Sequence, residues 1–152
     1  MDLSIPLTNE TIYTSNKRIC DIKPFDKNLD MQVILINLVS KNKLKNDTKI
    51  TQFLVGDATG SILCNFFDET GDRLNEGDII FLKCCYGSVF KNKLILYTGK
   101  PGFGKVIKLG EFFMNFSETP NLSAVEWRKD RDPRTGMEVF VQVADSQDVE
   151  MN

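Results

Sequence analysis

Between Ile79 and Gly110 the chain carries no Asp or Glu, yet it holds Lys83, Lys91, Lys93, Lys100, Lys105 and Lys108. Aromatic side chains are threaded among these six positive charges: Phe81, Tyr86, Phe90, Tyr97 and Phe103. Ammonium groups neutralise phosphates and release their counterions, and aromatic rings stack on unpaired bases. These residue types together suit the non-covalent capture of single-stranded nucleic acid. Their concentration is local, because the 152-residue chain has a formal net charge of −2. Residues 1–120 hold 15 Lys and Arg against 14 Asp and Glu, a net of +1, whereas residues 121–152 hold 4 against 7, a net of −3.

Other chemistries find less support. There is no histidine, which removes the commonest general base and any His-assisted activation of Ser or Cys. Cys20, Cys64, Cys84 and Cys85 form no CxxC pair. They read as reduced, buried or half-buried thiols of an intracellular protein, and no metal site is expected. The string GKPGFGK, Gly99 to Lys105, fits GxxxxGK, but Val106 stands where a P-loop needs Ser or Thr for Mg²⁺. The residues after it read as extended, not as the helix whose N-terminus would face phosphate. A glycine-rich link between strands is the expectation, with neither a cofactor nor an enzymatic activity. No apolar run approaches the ~20 residues of a membrane span. The opening MDLSIPLTNE lacks a basic region followed by an apolar stretch, so no secretory signal is expected.

The elements that must position the lysines and rings read as strands. Residues 1–18 are polar and weakly patterned, a loose arm. Leu29 to Val39 is densely apolar and predicts a long first strand. KNKLKNDTK, residues 41–49, follows as a basic loop. Residues 50–67 predict two strands joined at Asp57–Gly60 by a tight hairpin. On the second of these, Ile62, Cys64 and Phe66 alternate with Leu63, Asn65 and Phe67. The first set reads as core, and Phe67, sharing its side with Asn65, is a candidate surface ring. Residues 68–78 allow one short helical turn. Residues 79–86 form a fourth strand, 87–92 a hairpin loop, and 93–99 a fifth strand; 105–116 also reads as extended. Beyond Pro120 the pattern dissolves into a loosely ordered acidic tail, with Val139–Val143 as a short strand or binding motif within it.

Five short, closely spaced strands without a long amphipathic helix predict an all-β OB-fold. This is a five-stranded Greek-key barrel that offers one face and two loops to oligonucleotides. The two loops would be 41–49 and 87–92. Within this frame Tyr86 and Tyr97 are candidate stacking rings, because a phenol favours a polar neighbour. Phe90 joins them from a polar turn beside Lys91, while Phe81, among apolar neighbours, reads as core. Lys41, Lys43 and Lys45 are either a solvated loop or phosphate contacts; the barrel reading places them beside the rings.

The strings DIKPFDKNL, GDATGSI, EGDII, YGSVFKNKLILYTGK and IKLGEFFMNFSETPNLS occur in that order. Together, over about Ile19 to Ser123, they resemble the SOSS-B family, the eukaryotic single-stranded DNA-binding proteins of the SOSS complex. The resemblance implies one OB-fold over 19–120, flanked by the arm 1–18 and the tail 121–152. It implies single-stranded DNA binding in the nucleus and a role in the DNA-damage response, notably double-strand break repair. It also implies assembly with a scaffold similar to Integrator complex subunit 3 and with a small third subunit. By family position the base-stacking rings fall on Phe67, Tyr86, Phe90 and Tyr97. The family usually has Trp at the first of these, and Phe67 offers less area. Lys91 and Lys100 match basic positions. A further basic position is Cys84 here; adjoining Lys83 would point to the opposite face. The GKPGFGK loop looks about two residues longer than the family loop, which leaves Lys105 unplaced. Gly110–Phe113 and Ser117–Asn121 match the part that meets the scaffold, making Glu111 and Phe112 candidate contacts; alternatively, Phe112 caps the barrel floor. The tail after Ser123 does not resemble the family's.

The expectation is a non-enzymatic single-stranded DNA-binding protein. Lys41, Lys43, Lys45, Lys91 and Lys100 would track the backbone. The alternatives are an RNA-binding OB-fold and an OB-fold protein-interaction subunit with a weakened nucleic-acid face.

Overall fold

Leu29, Met31, Val33 and Leu35 are all nearly inaccessible, the period-two burial of a strand with one face in a core. They open β1 (Leu29–Lys43), followed by β2 (Lys49–Asp57), β3 (Gly60–Phe67), β4 (Asp78–Phe90), β5 (Lys93–Tyr97) and β6 (Lys105–Glu111). The computed structural model describes residues 13–98, 104–111 and 114–143. The sheet runs β1-β2-β3-β5-β4-β6, and an additional β1–β4 pairing closes β1 to β5 into a barrel. β3 and β5 are parallel; the other barrel pairs are antiparallel. This is the expected OB-fold. β1 serves two neighbours because it bends, with register shifts between Leu35 and Asn37 and between Leu38 and Ser40. Such irregularities curve a strand and raise its twist.

The core holds Ile62, Cys64 and Phe66, which alternation assigned to it, together with Leu94 and Leu96, each 0% exposed. Phe53 and Phe66 meet edge to face, with centroids 5.8 Å apart. Phe81 is also 0% exposed but stands outside this cluster; Tyr13 packs on it at 5.4 Å. A five-residue helix, Asp68–Asp72, follows β3 and lays Gly71 against Thr51 of β2.

Both predicted loops are shorter than expected. β1 continues through Lys43 and β2 begins at Lys49, so the loop is 44–48, and Lys41 and Lys43 lie on a strand. β4 runs to Phe90 and β5 starts at Lys93, leaving the turn Lys91–Asn92 with φ of 51° and 68°. Paired positive φ values match a two-residue turn to the twist of its strands.

Two stretches without sequence periodicity are tied to the barrel by long-range bonds. The start of β1, Leu29 to Val33, pairs with β4 alone, since pairing to β2 begins at Ile34. Residues 15–16, from the expected loose arm, cover its other edge. Asp30 N–H donates to Asn16 Oδ1 at 3.0 Å, Gln32 N–H donates to Ser15 Oγ at 3.0 Å, and Asn16 N–H donates to the Asp30 carbonyl at 2.8 Å.

The second stretch lies in the expected tail. The parallel β3–β5 seam has only three register pairs, Leu63 to Asn65 against Ile95 to Tyr97. At its start the buried Ser123 hydroxyl accepts Leu63 N–H at 2.8 Å and donates to the Leu94 carbonyl at 2.6 Å. Beyond it, β7 (Trp127–Arg131) and β8 (Glu138–Gln142) form an antiparallel hairpin. Trp127 N–H donates to the Asn92 carbonyl at 2.9 Å, and the Trp127 side chain packs on the barrel core. Phe140 meets Phe25 with ring centroids 5.2 Å apart. Unmet backbone groups at sheet edges need partners. Here isolated polar and aromatic residues supply them, which leaves no periodic trace in the sequence.

Candidate nucleic-acid interface

The orientation of Tyr86 depends on one backbone irregularity. Leu82 is 0% exposed, so strict alternation would turn residues 84 and 86 inward with it. Instead Leu29 pairs with Cys85 and Met31 with Leu82, so Lys83 and Cys84 together oppose Asp30. This is a β-bulge, and Cys84 adopts φ of 58° within it. After the bulge Cys85 is 1% exposed and Tyr86 38% exposed. Asp30 holds the bulge: one carboxylate oxygen accepts Cys84 N–H at 3.0 Å, and the other lies 3.9 Å from the Lys83 ammonium. The expectation that Lys83 points away from the Tyr86 face is therefore corrected. The extra residue resets alternation, and Lys83 and Tyr86 share the outer side.

On that side three rings form a row. Tyr86 and Tyr97 are register partners, and Tyr97 also pairs with Asn65, two residues before Phe67. The Tyr86 and Tyr97 rings are 5.4 Å apart and 12° from parallel; Phe67 and Tyr97 are 6.5 Å apart and 19° from parallel. Burial, with a smaller contribution from the Tyr86 phenol, raises the Tyr97 pKa, so Tyr97 remains a neutral ring. Phe90 lies four residues beyond Tyr86 on the same face, ~13 Å along the strand. It is 54% exposed, with the Lys91 ammonium 5.4 Å from its centroid, within cation–π range.

Phe67 and Tyr86 line a groove of about 1060 Å³ that also takes in Lys49, Asp68, Glu69, Thr98 and Lys105. Lys105 sits opposite Lys83 in the β4–β6 pairing. Lys49 and Lys105 were not among the backbone-tracking lysines expected from sequence. Lys49 had a signal, its place at the end of the basic loop. Lys105 had only its membership of the acid-free window, and strand pairing is what brings it to the rings.

Several lysines are engaged within the chain. Lys41 and Lys49 both reach Asp72, at 4.0 Å and 3.0 Å, and Lys43 reaches Asp47 at 3.6 Å. The hydrogen bond and charge of Lys49 hold the Asp72 carboxyl below its ordinary pKa, and Lys49 is raised in turn. Among the described residues, Lys45, Lys91, Lys93 and Lys105 make no ion pair. Glu111 ends β6 opposite Asp78, exposed, its carboxylate 2.8 Å from the Lys108 ammonium. Lys100 and Phe112 lie outside the described residues, as does most of the GKPGFGK loop.

Of the sequence-predicted site, the fold thus brings together Phe67, Tyr86 and Tyr97, with Phe90 and Lys91 farther along the same hairpin. No cysteine lines the groove, and Cys84 contributes through its backbone in the bulge. Burial raises Cys85 to about 12 and lifts Cys64 well above an ordinary thiol.

No family model matches the chain. Two solved structures share its fold. One, a hypothetical protein from Arabidopsis thaliana, is 23% identical with a TM-score of 0.61 over 76% of this chain and 88% of that one. The other, a replication factor A-related protein from Methanobacterium thermoautotrophicum, is 17% identical with a TM-score of 0.50 over 61% and 89%. Strand order, barrel closure and these likenesses agree on the architecture: the chain is an OB-fold protein.

Proposed function

We propose that the protein binds single-stranded DNA on the outer face of its barrel and performs no chemistry on it. The observation that carries this reading is the row Phe67–Tyr97–Tyr86, three near-parallel rings beside a groove edged by Lys49 and Lys105. Three unpaired bases lie on these rings and a fourth on Phe90, each stack contributing ~1–3 kcal/mol. Lys45, Lys91, Lys93 and Lys105 meet phosphates directly, whereas Lys41, Lys43 and Lys49 first leave a carboxylate. Asp68 and Glu69 also line the groove, and Asp68 accepts the Lys49 backbone N–H at 3.0 Å, so phosphates are drawn towards Lys105 and away from these carboxylates. A duplex hides its base faces and loses the stacking contribution. The replication factor A-related neighbour agrees with a nucleic-acid role.

On its resemblance to the SOSS-B family, the protein serves in the nucleus, in double-strand break repair, as part of a SOSS-like complex. A scaffold similar to Integrator complex subunit 3 would meet it through Glu111 and Phe112, beside a small third subunit. Co-purification of the tagged protein with and without Glu111→Lys tests that assembly, and unchanged partners would sink the Glu111 assignment.

The binding test is fluorescence polarisation with matched single-stranded DNA, RNA and duplex DNA. Wild type should prefer single-stranded DNA, and Tyr86→Ala with Tyr97→Ala should lose at least ~30-fold in affinity, from two stacks at the lower bound. Equal affinity for duplex overturns the reading; a clear preference for RNA reassigns the ligand.

A further inference from the structure

The β7–β8 hairpin leaves a second cleft, of about 480 Å³, between itself and the tip of the β4–β5 hairpin. Lys91, Asn92, Arg128, Lys129 and Phe140 line it, with Glu126 the acid on its wall. Three cations against one carboxylate leave it net positive. Arg128 rests on Glu126 at 2.8 Å and Lys129 on Glu138 at 3.7 Å, exposed pairs of the kind that contribute little in water. Lys91 belongs to both sites, since its ammonium also lies over Phe90.

A second, independent feature stands beside the cleft. Phe25 has φ of 75° and is 63% exposed, although it contacts Phe140. A bulky side chain in this backbone region is a strained outlier, and such strain gathers at functional positions. Here the backbone is held from both sides: Phe25 N–H donates to the Gly87 carbonyl at 3.1 Å, and Gly87 N–H donates to the Asp26 carbonyl at 2.8 Å. β4 itself therefore fixes an exposed ring beside the basic cleft.

Building on the proposed function, we infer that the cleft is a second segment of the nucleic-acid path. A single strand leaving Phe90 passes over the Lys91–Asn92 turn and enters between the two hairpins. Lys91, Arg128 and Lys129 take its phosphates, and the Phe25–Phe140 pair takes a base. The short β4–β5 turn permits this, because it leaves only two residues for the strand to cross. The site on the barrel is then lengthened by a hairpin on the C-terminal side of the OB-fold.

The test compares the full chain with Arg128→Ala/Lys129→Ala on thymidine oligomers of about 4 and about 16 nucleotides, the range of OB-fold sites. The double variant should bind the long oligomer about tenfold more weakly, with its log–log salt slope reduced by about 1.4, from two lost phosphate contacts at ~0.7 each. Binding of the short oligomer should not change. Phe25→Asn, which keeps a residue tolerant of positive φ, should also weaken only the long oligomer. Equal effects on both lengths, or none on either, overturn the second segment while leaving the barrel site standing. Failure of wild type to bind even the long oligomer overturns both readings.

Discussion

Replacing Ser123 with Ala tests whether the chain beyond Pro120 belongs to the barrel. The hydroxyl is the sole side-chain link across the start of the β3–β5 seam among the described hydrogen bonds, joining Leu63 N–H and the Leu94 carbonyl. Ser123 is 2% exposed and Leu94 0%, so water does not readily replace it. A buried backbone group without its partner costs ~1–3 kcal/mol, with the carbonyl nearer the low end because it has a second lone pair. The expected loss is about 2–4 kcal/mol. For a domain of this size each kcal/mol moves Tm by roughly 3–5 °C, so Tm should fall by about 6–20 °C. The assay is urea and thermal unfolding read by two signals. Far-UV circular dichroism reports the barrel, and the fluorescence of Trp127, the chain's single Trp, reports the hairpin that packs on it. Both transitions should shift together with unchanged steepness, as one cooperative unit requires. A loss under about 0.5 kcal/mol, the size of an ordinary surface change, would refute the seam argument. So would a shift of the Trp127 signal that leaves the barrel transition in place.

Asp72→Asn should tighten single-stranded DNA binding only modestly, by no more than about fivefold, because it releases the exposed pairs that hold Lys41 and Lys49. Because the Asp72 pKa is lowered, the wild-type pair is intact above the ordinary carboxylate pKa and is lost only as pH falls through the lowered value. The gain should therefore be constant across the neutral range in polarisation titrations. Asp30→Ala removes the acceptor for Cys84 N–H; it should cost about 1–3 kcal/mol in urea unfolding and weaken binding through Tyr86, whereas a variant with wild-type affinity would show that the bulge does not need Asp30. Native protein should expose only half-buried Cys20 and Cys84 to a thiol reagent, with buried Cys64 and Cys85 reacting after denaturation. Cys85 titrates near 12, so raising pH from about 7 to about 9 should not bring it into the fast class.

Much of the barrel is legible in the residues because a strand with one buried face writes its structure locally. Ile62, Cys64 and Phe66 against Leu63, Asn65 and Phe67 is a two-residue period, and it predicts both the core and the outward ring. The same alternation marks Tyr97 opposite Leu94 and Leu96. It misleads at Cys84, because a bulge adds one residue without any glycine to signal it. The bulge's partner, Asp30, lies 54 positions away. Alternation is equally silent on Ser15, Asn16 and Ser123, whose hydroxyl or amide groups complete sheet edges far off in sequence.

The lysines divide in the same way. Their abundance between Ile79 and Gly110 is a fact of composition, and it is enough to suggest a phosphate-binding surface. Which of them are available depends on where carboxylates lie. Asp72 claims Lys41 and Lys49, while Lys105 reaches the groove only through β6. Burial along a single strand writes the strand periods, much of the core and the outward turn of Phe67 and Tyr97 into the residues themselves, whereas the outward turn of Tyr86 needs the bulge that distant Asp30 holds. Tertiary structure alone decided which rings stand in one row, which cations are available and how residues 121–143 join the barrel. Those outcomes rest on pairing between distant strands, and no local pattern encodes distance across a closed sheet.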